Sequence, residues 1–170
     1  MGSEMCIRDR ATSIDPENQW LWKANRRRVD VEVLRDSILA ISGEIDLTPG
    51  GRTIRKLSQY DLEYEFNTVR RSVYVPAFRN SMLDVFEVFD FANPNLVTGD
   101  RSSSTLPTQA LYLMNSPVVI EQARKAALRL LERQISANDQ RLEFVYQQVL
   151  GREPSQQAVS YTHLTLPTKA

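Results

Sequence analysis

Hydrophobic positions recur along this chain mostly at intervals of three and four, the spacing of helices that each bury one face. The first such stretch follows "SIDPENQWLW", where Asp15 is placed to cap, Pro16 suits the first helical position and Glu17 brings an acid to the first turn. Val29, Val33 or Leu34, Ile38 and Ile41 extend the stripe to Gly43, so the pattern predicts helix over about 16 to 42, continuous or broken near Asn25. "DLTPGGRT" then reads as a turn at Pro49-Gly50, and it lacks the G-K-[ST] of a phosphate-binding loop. β-Branched and aromatic residues in "RRSVYVPAFRN" predict a short extended or β segment near 70–76.

Helical spacing resumes in "NSMLDVFEVFDFANPN", with Asn80 or Ser81 as cap, a helix to about Phe89 burying Val85, Phe86 and Phe89, and a turn at Asn93-Pro94. Thr105 or Thr108 caps a short helix through Leu113. Ser116-Pro117 starts the next, whose predicted buried stripe is Ile120, Ala123, Ala127, Leu130 and Leu131. A last helix, about 138 to 150, is expected to bury Leu142, Val145, Tyr146 and Val149 and to stop at Gly151. The expected fold is mainly α: a helical domain with that one short segment and long ordered loops.

The two ends stand apart from this pattern. "MGSEMCIRDR" and "SYTHLTLPTKA" contain the only cysteine, Cys6, and the only histidine, His163. Both resemble the translated adapter sequences found at the ends of reading frames in shotgun metagenomic assemblies. Residues 1–10 and 159–170 are therefore set aside as artefactual tails, and 11–158 are read as a fragment of one helical domain. The echo of "TLPTQA" at 105 in "TLPTKA" at 165 is taken as chance, since the flanks share nothing.

That division sharpens the chemistry. Without Cys or His, residues 11–158 offer no thiolate or imidazole metal site, no haem attachment motif, no disulfide and no His-dependent nucleophile. The stretch has 18 basic and 19 acidic residues, so no broad field favours nucleic acid, and no nucleic-acid partner is expected. The uncharged run from Ser102 to Ile120 has the length of a membrane span, but Pro107, Pro117, Gln109 and Asn115 argue against one.

Three constellations could carry function. Arg26, Arg27 and Arg28 could clamp an anion, although pairing of Arg26 with Asp30 and of Arg28 with Glu32 along a helix accounts for the same spacing. Asp84, Glu87 and Asp90 could bind calcium or act as an acid–base pair, and a solvated helix face explains them as well. The third is a polar cluster of Arg71, Arg79, Asn80, Asp90, Asn93, Arg101, Thr105, Thr108 and Gln109. Its arginines could form buried ion pairs with Asp90 that fix loops on helices, or an anion or sugar could sit at the helix start near Thr108. No residue is assigned a catalytic or metal-binding role.

This third block carries a family resemblance. "RRSVYVPAFRN", "VFDFANPN", "TLPTQALYLMNSP" and "VLGREPS", preceded by "DPENQWLWKANRRRVDVEVLRDSILAISG", resemble the planctomycete-type domain of unknown function 1553 over nearly all of residues 11–158. Ser103 and Ser104 replace a more Thr-rich loop, a mild departure. The resemblance implies company more than activity: such domains end large exported bacterial proteins, behind a cytochrome c domain and a second uncharacterised domain. Haem is then expected only in an upstream domain, the partners are other domains of the same protein, and the location is the periplasm or cell surface. Two functions follow as expectations. One is a non-enzymatic structural or interaction module, favoured by a closed, arginine-stapled polar block. The other is a glycan-binding or glycan-hydrolysing domain, which needs Arg71, Arg79, Asp90 and Asn93 to converge in a cleft and could use Trp20, Trp22 and Tyr112 as stacking platforms. A fragment should also expose an apolar patch.

Overall fold

A computed structural model of the chain describes residues 10–165 apart from 26, 57–63, 102 and 136. The fold is mainly α. Its helices are α1 (Val31–Ser42), α2 (Asp84–Val88), α3 (Pro107–Asn115), α4 (Pro117–Leu131), α5 (Asn138–Leu150) and α6 (Gln156–Thr165). Two short antiparallel strands, β1 (Arg55–Lys56) and β2 (Tyr64–Glu65), pair Arg55 with Glu65 and Lys56 with Tyr64.

The long first helix predicted over 16–42 is corrected to its second half. Residues 10–14 form one helical turn, and the chain is then irregular until Val31. Asp15 does cap backbone donors, but those of a turn: its carboxylate accepts the N–H groups of Gln19 at 2.9 Å and Trp20 at 2.8 Å. Asn18 and Leu21 have φ of 57° and 54°, values that interrupt a right-handed helix. The Asn18 side chain fixes the bend by donating to the Lys23 carbonyl at 2.8 Å and accepting from the Lys23 N–H at 3.1 Å. Gly43 ends α1 as expected. Its φ of 80° lets its N–H reach the Ala40 carbonyl at 3.1 Å, while Glu44 donates to Leu39 at 3.0 Å.

The fully buried residues of α1 are Val31, Leu39 and Ser42; of the predicted stripe, Leu34, Ile38 and Ile41 are half-buried, whereas Val29 and Val33 are exposed. Val31 joins Val75, Val85 and Phe86 in a small core flanked by Phe66, Met82, Phe89, Phe91 and Tyr112. Phe86, only 1% exposed, stacks on Phe91 at 4.6 Å, and Phe89 meets Tyr112 edge-on at 6.0 Å. Thus α2 buries Val85 and Phe86 as its pattern predicts, although it starts after Leu83 without a side-chain cap from Asn80 or Ser81. The segment near 70–76 is extended at its ends, where Arg70 bridges Asp46 and Val75 is in the β region, with a 3₁₀ turn over Ser72–Tyr74 between.

Downstream, the cap-then-proline rule holds at both junctions: Pro107 opens α3 behind Leu106, and Pro117 opens α4 behind Ser116. Leu106, not Thr105 or Thr108, is the capping position, because the Gln109 Oε1 accepts its N–H at 3.2 Å. α4 packs on α1 along the most extensive helix pair in the fold, and the Lys125–Glu44 ion pair closes one side of it. Its buried residue is Gln122, while Ile120, Ala123, Ala127 and Leu131 are exposed, so the predicted stripe is corrected by about a third of a turn. α5 has the predicted ends, and Gly151 follows it at φ 63°. Yet none of its residues is buried, Val149 least of all the predicted four. No described helix is long and apolar enough to cross a membrane.

The candidate polar site

Asp90 lies just beyond α2 in a left-handed conformation, φ 58°, which turns its carboxylate off the helix face shared by Asp84 and Glu87. The three acids therefore make no common site, and no group of three potential metal ligands occurs among the described residues. Instead Asp90 holds the loop before α3. It accepts the Ser104 N–H and the Ser104 hydroxyl, both at 2.8 Å, so the serine of the mild family departure is the one that binds it. These bonds, the Ser104 N–H first and the hydroxyl next, hold the Asp90 carboxyl below the usual carboxylate range.

Gln109, 4% exposed, joins this loop to two helices. Its amide nitrogen donates to the Val88 carbonyl at 3.1 Å and to Asp90 at 3.4 Å. Its oxygen accepts from Arg28 at 2.6 Å as well as from Leu106, which uses the full capacity of the amide. Arg28 also donates to the Thr105 hydroxyl at 3.3 Å and lies over the Phe89 ring. The expected Arg28–Glu32 pair is thereby corrected: α1 begins only at Val31, so the two are not one helical turn apart, and Glu32 binds Arg101 at 2.8 Å. Arg101 in turn covers Phe91 at 4.9 Å. Arg26 falls outside the described residues.

A second staple was not read from the sequence. Arg35, on the buried side of α1, donates to the carbonyls of Arg70, at 2.8 Å, and Thr68, and to the Ser72 hydroxyl at 3.2 Å. Burial pulls its guanidinium below the ordinary arginine value, opposed by Asp36 and Tyr112. Asp36 receives both the N–H and the hydroxyl of Ser72 at 2.7 Å, and Arg71 pairs with Asp36 at 3.6 Å. The signal was available, since Arg35 stands four residues after Val31 and four before Leu39, on one helical face.

The nine candidate residues accordingly divide. Asp90 and Gln109 meet, Thr105 joins them through Arg28, and Asp90 and Arg101 line a hollow of about 460 Å³ together with Arg27, Arg28, Asp30 and Asp100. Arg79, Asn80 and Asn93 line a separate hollow of about 400 Å³, where the Asn93 oxygen accepts the Asn95 N–H at 2.9 Å. Arg71 belongs to the second staple, and Thr108 is exposed on α3. Arg71, Arg79, Asp90 and Asn93 do not converge, and none of Arg71, Arg79 and Arg101 pairs with Asp90. Of the aromatic platforms, Trp20 is 74% exposed; Trp22 is half-buried and donates to the Asp15 carbonyl at 2.9 Å; Tyr112 packs against Phe89.

Chemically, this is a network whose donors and acceptors are spent on one another. An ionised, fully bonded carboxylate is a weak base, and a saturated amide has nothing left for a ligand. No curated protein and no solved structure matches the chain. The model of one family, described as protein of unknown function (DUF1553), matches residues 3–165. The chain belongs to the DUF1553 family.

Proposed function

We propose that this chain is a non-enzymatic structural and interaction module within a larger exported, cytochrome-associated bacterial protein of planctomycete type. The observation that carries the reading is the closed Arg28–Gln109–Asp90–Ser104 network, which ties the segment before α1 and the end of α2 to α3 and the loop before it, and leaves no pair of free carboxylates among its members. The family resemblance supports the placement at the C-terminal end of such a protein, where its neighbours would be domains of the same chain and haem would belong upstream. The glycan reading is the weaker, because the four residues it needs lie in three different places.

Three measurements test this. Binding and hydrolysis of neutral and anionic glycans by the purified chain should be indistinguishable from a buffer control. Asp90→Asn should lower the melting temperature, and a variant that instead abolished a glycan activity at unchanged stability would overturn the proposal. Sequencing the intact reading frame should place an export signal and a C-x-x-C-H motif upstream; their absence would overturn the cytochrome association.

A further inference from the structure

The face of α4 between α1 and α5 is an open groove of about 350 Å³. Ile38 and Ile41 of α1, Ala126 and Leu130 of α4, and Phe144 and Val149 of α5 line it. From Val119 to Leu130 it follows α4 for about 16 Å, three helical turns. Alanines along α4 keep the floor low enough for another backbone to approach. The groove wall also contains Gln122, 8% exposed, whose Oε1 has no hydrogen-bond partner.

Its charge is one-sided. The charged lining residues are Arg129 and Arg133, and no carboxylate lines the groove. Arg133 rests on the Phe144 ring at 4.3 Å and Arg129 lies against the Gly43 turn, but neither has a carboxylate partner among the described residues. Arg129 stands in the last turn of α4 and Arg133 two residues past its end.

We propose that this groove docks an amphipathic helix of a partner protein, apolar along three turns and carrying carboxylates in the turn that meets Arg129 and Arg133. The proposal rests on the reading of the chain as an interaction module. Two cations at one end of a three-turn apolar floor match a helix with acids four residues apart better than a lipid with a single headgroup charge. A second copy of this chain fits poorly: its α1, α4 and α5, the last with Asp139 and Glu143 four residues apart, are themselves the walls and floor of the groove, its α2 is a helix of 5 residues, and its α3 and α6 contain no carboxylate.

The test uses the whole 170-residue chain. The probe is a fluorescent designed peptide of about 18 residues, leucines at helical spacing and two glutamates in one terminal turn, together with its twin carrying lysines there. Anisotropy should show micromolar binding of the glutamate peptide and at least about tenfold weaker binding of the lysine peptide. Ala127→Glu, an exposed substitution, should abolish binding, and Arg129→Glu with Arg133→Glu should reverse the preference, which a misfolded variant cannot do. Binding blind to the reversal would overturn the proposal, as would dodecanoate binding without peptide binding, or a dimer in sedimentation that Ala127→Glu dissolves. Any of these would leave the module reading standing, since the glycan assay tests that reading separately.

Discussion

Asp90 occupies a backbone region that non-glycine residues enter rarely, φ 58°, and does so to place its carboxylate on Ser104. Its folded pKa is lowered by those bonds, so it stabilises the fold above the unfolded value of about 3.9, and that contribution disappears as pH falls through the folded pKa. The melting-temperature gap between wild type and Asp90→Asn should be widest well above the unfolded value of about 3.9 and shrink as the pH falls below it; a gap that widens in acid would show that the carboxylate is not the stabilising species. Arg35 gives a larger effect. Its side chain is 11% exposed and donates to the carbonyls of Arg70 and Thr68, so Arg35→Ala should cost about 3 kcal/mol in urea unfolding. Gly43 is a backbone case: a Cβ there would lie 2.6 Å from the Arg129 Nη1, yet that flexible group can move aside. Gly43→Ala should therefore lose about 1–2 kcal/mol from its φ alone, by an equal amount in wild-type and Arg129→Ala backgrounds.

The elements differ in how openly their sequence declares them. Gly43, Ser116-Pro117 and Gly151 mark boundaries by stereochemistry that acts within a few residues, and the structure places the ends of α1, α4 and α5 at them. The start of α1 is set by Asn18 and Leu21 and by Asp15 spending its carboxylate on a turn, a choice the same residues could equally have made for a helix. The buried stripes depend on where neighbouring elements sit. On α4 the apolar period fits two faces, and packing against α1 selects the one with Gln122 over the one with Ile120. Chemical denaturation separates the two faces: Leu39→Ala, in the α1 side of that contact, should cost about 2–5 kcal/mol, whereas Ile120→Ala should stay within about 0.5 kcal/mol. The polar site is legible in Asp90, Thr105 and Gln109, but its arginine, Arg28, falls in a different constellation, because sequence spacing pairs it with Glu32 on a helix that the backbone at 27–30 does not form.

For the whole molecule, the decisive quantity is surface. Among the described residues, twenty large apolar side chains stand more than a third exposed. Its fully buried apolar residues are few, Val31, Leu39, Val75, Val85 and Phe86 among those described, while Leu111, Met114, Val118, Ile120 and Leu131 stand largely in solvent. Such a surface is what the expected apolar patch requires, and it fits a module completed by contact with other protein. Because the denaturant slope scales with the area newly exposed on unfolding, a chain that starts with much of its surface already open should unfold with a shallow slope. Urea unfolding should give about 1 kcal/mol/M, near the bottom of the range for small proteins, with an apolar dye bound before the transition begins. Addition of the acidic amphipathic peptide should raise the midpoint and displace dye in parallel, since a ligand that binds only the folded chain stabilises it by mass action. A steep slope with no dye bound would mean that the helices close on one another in solution, leaving no open face for a partner to complete.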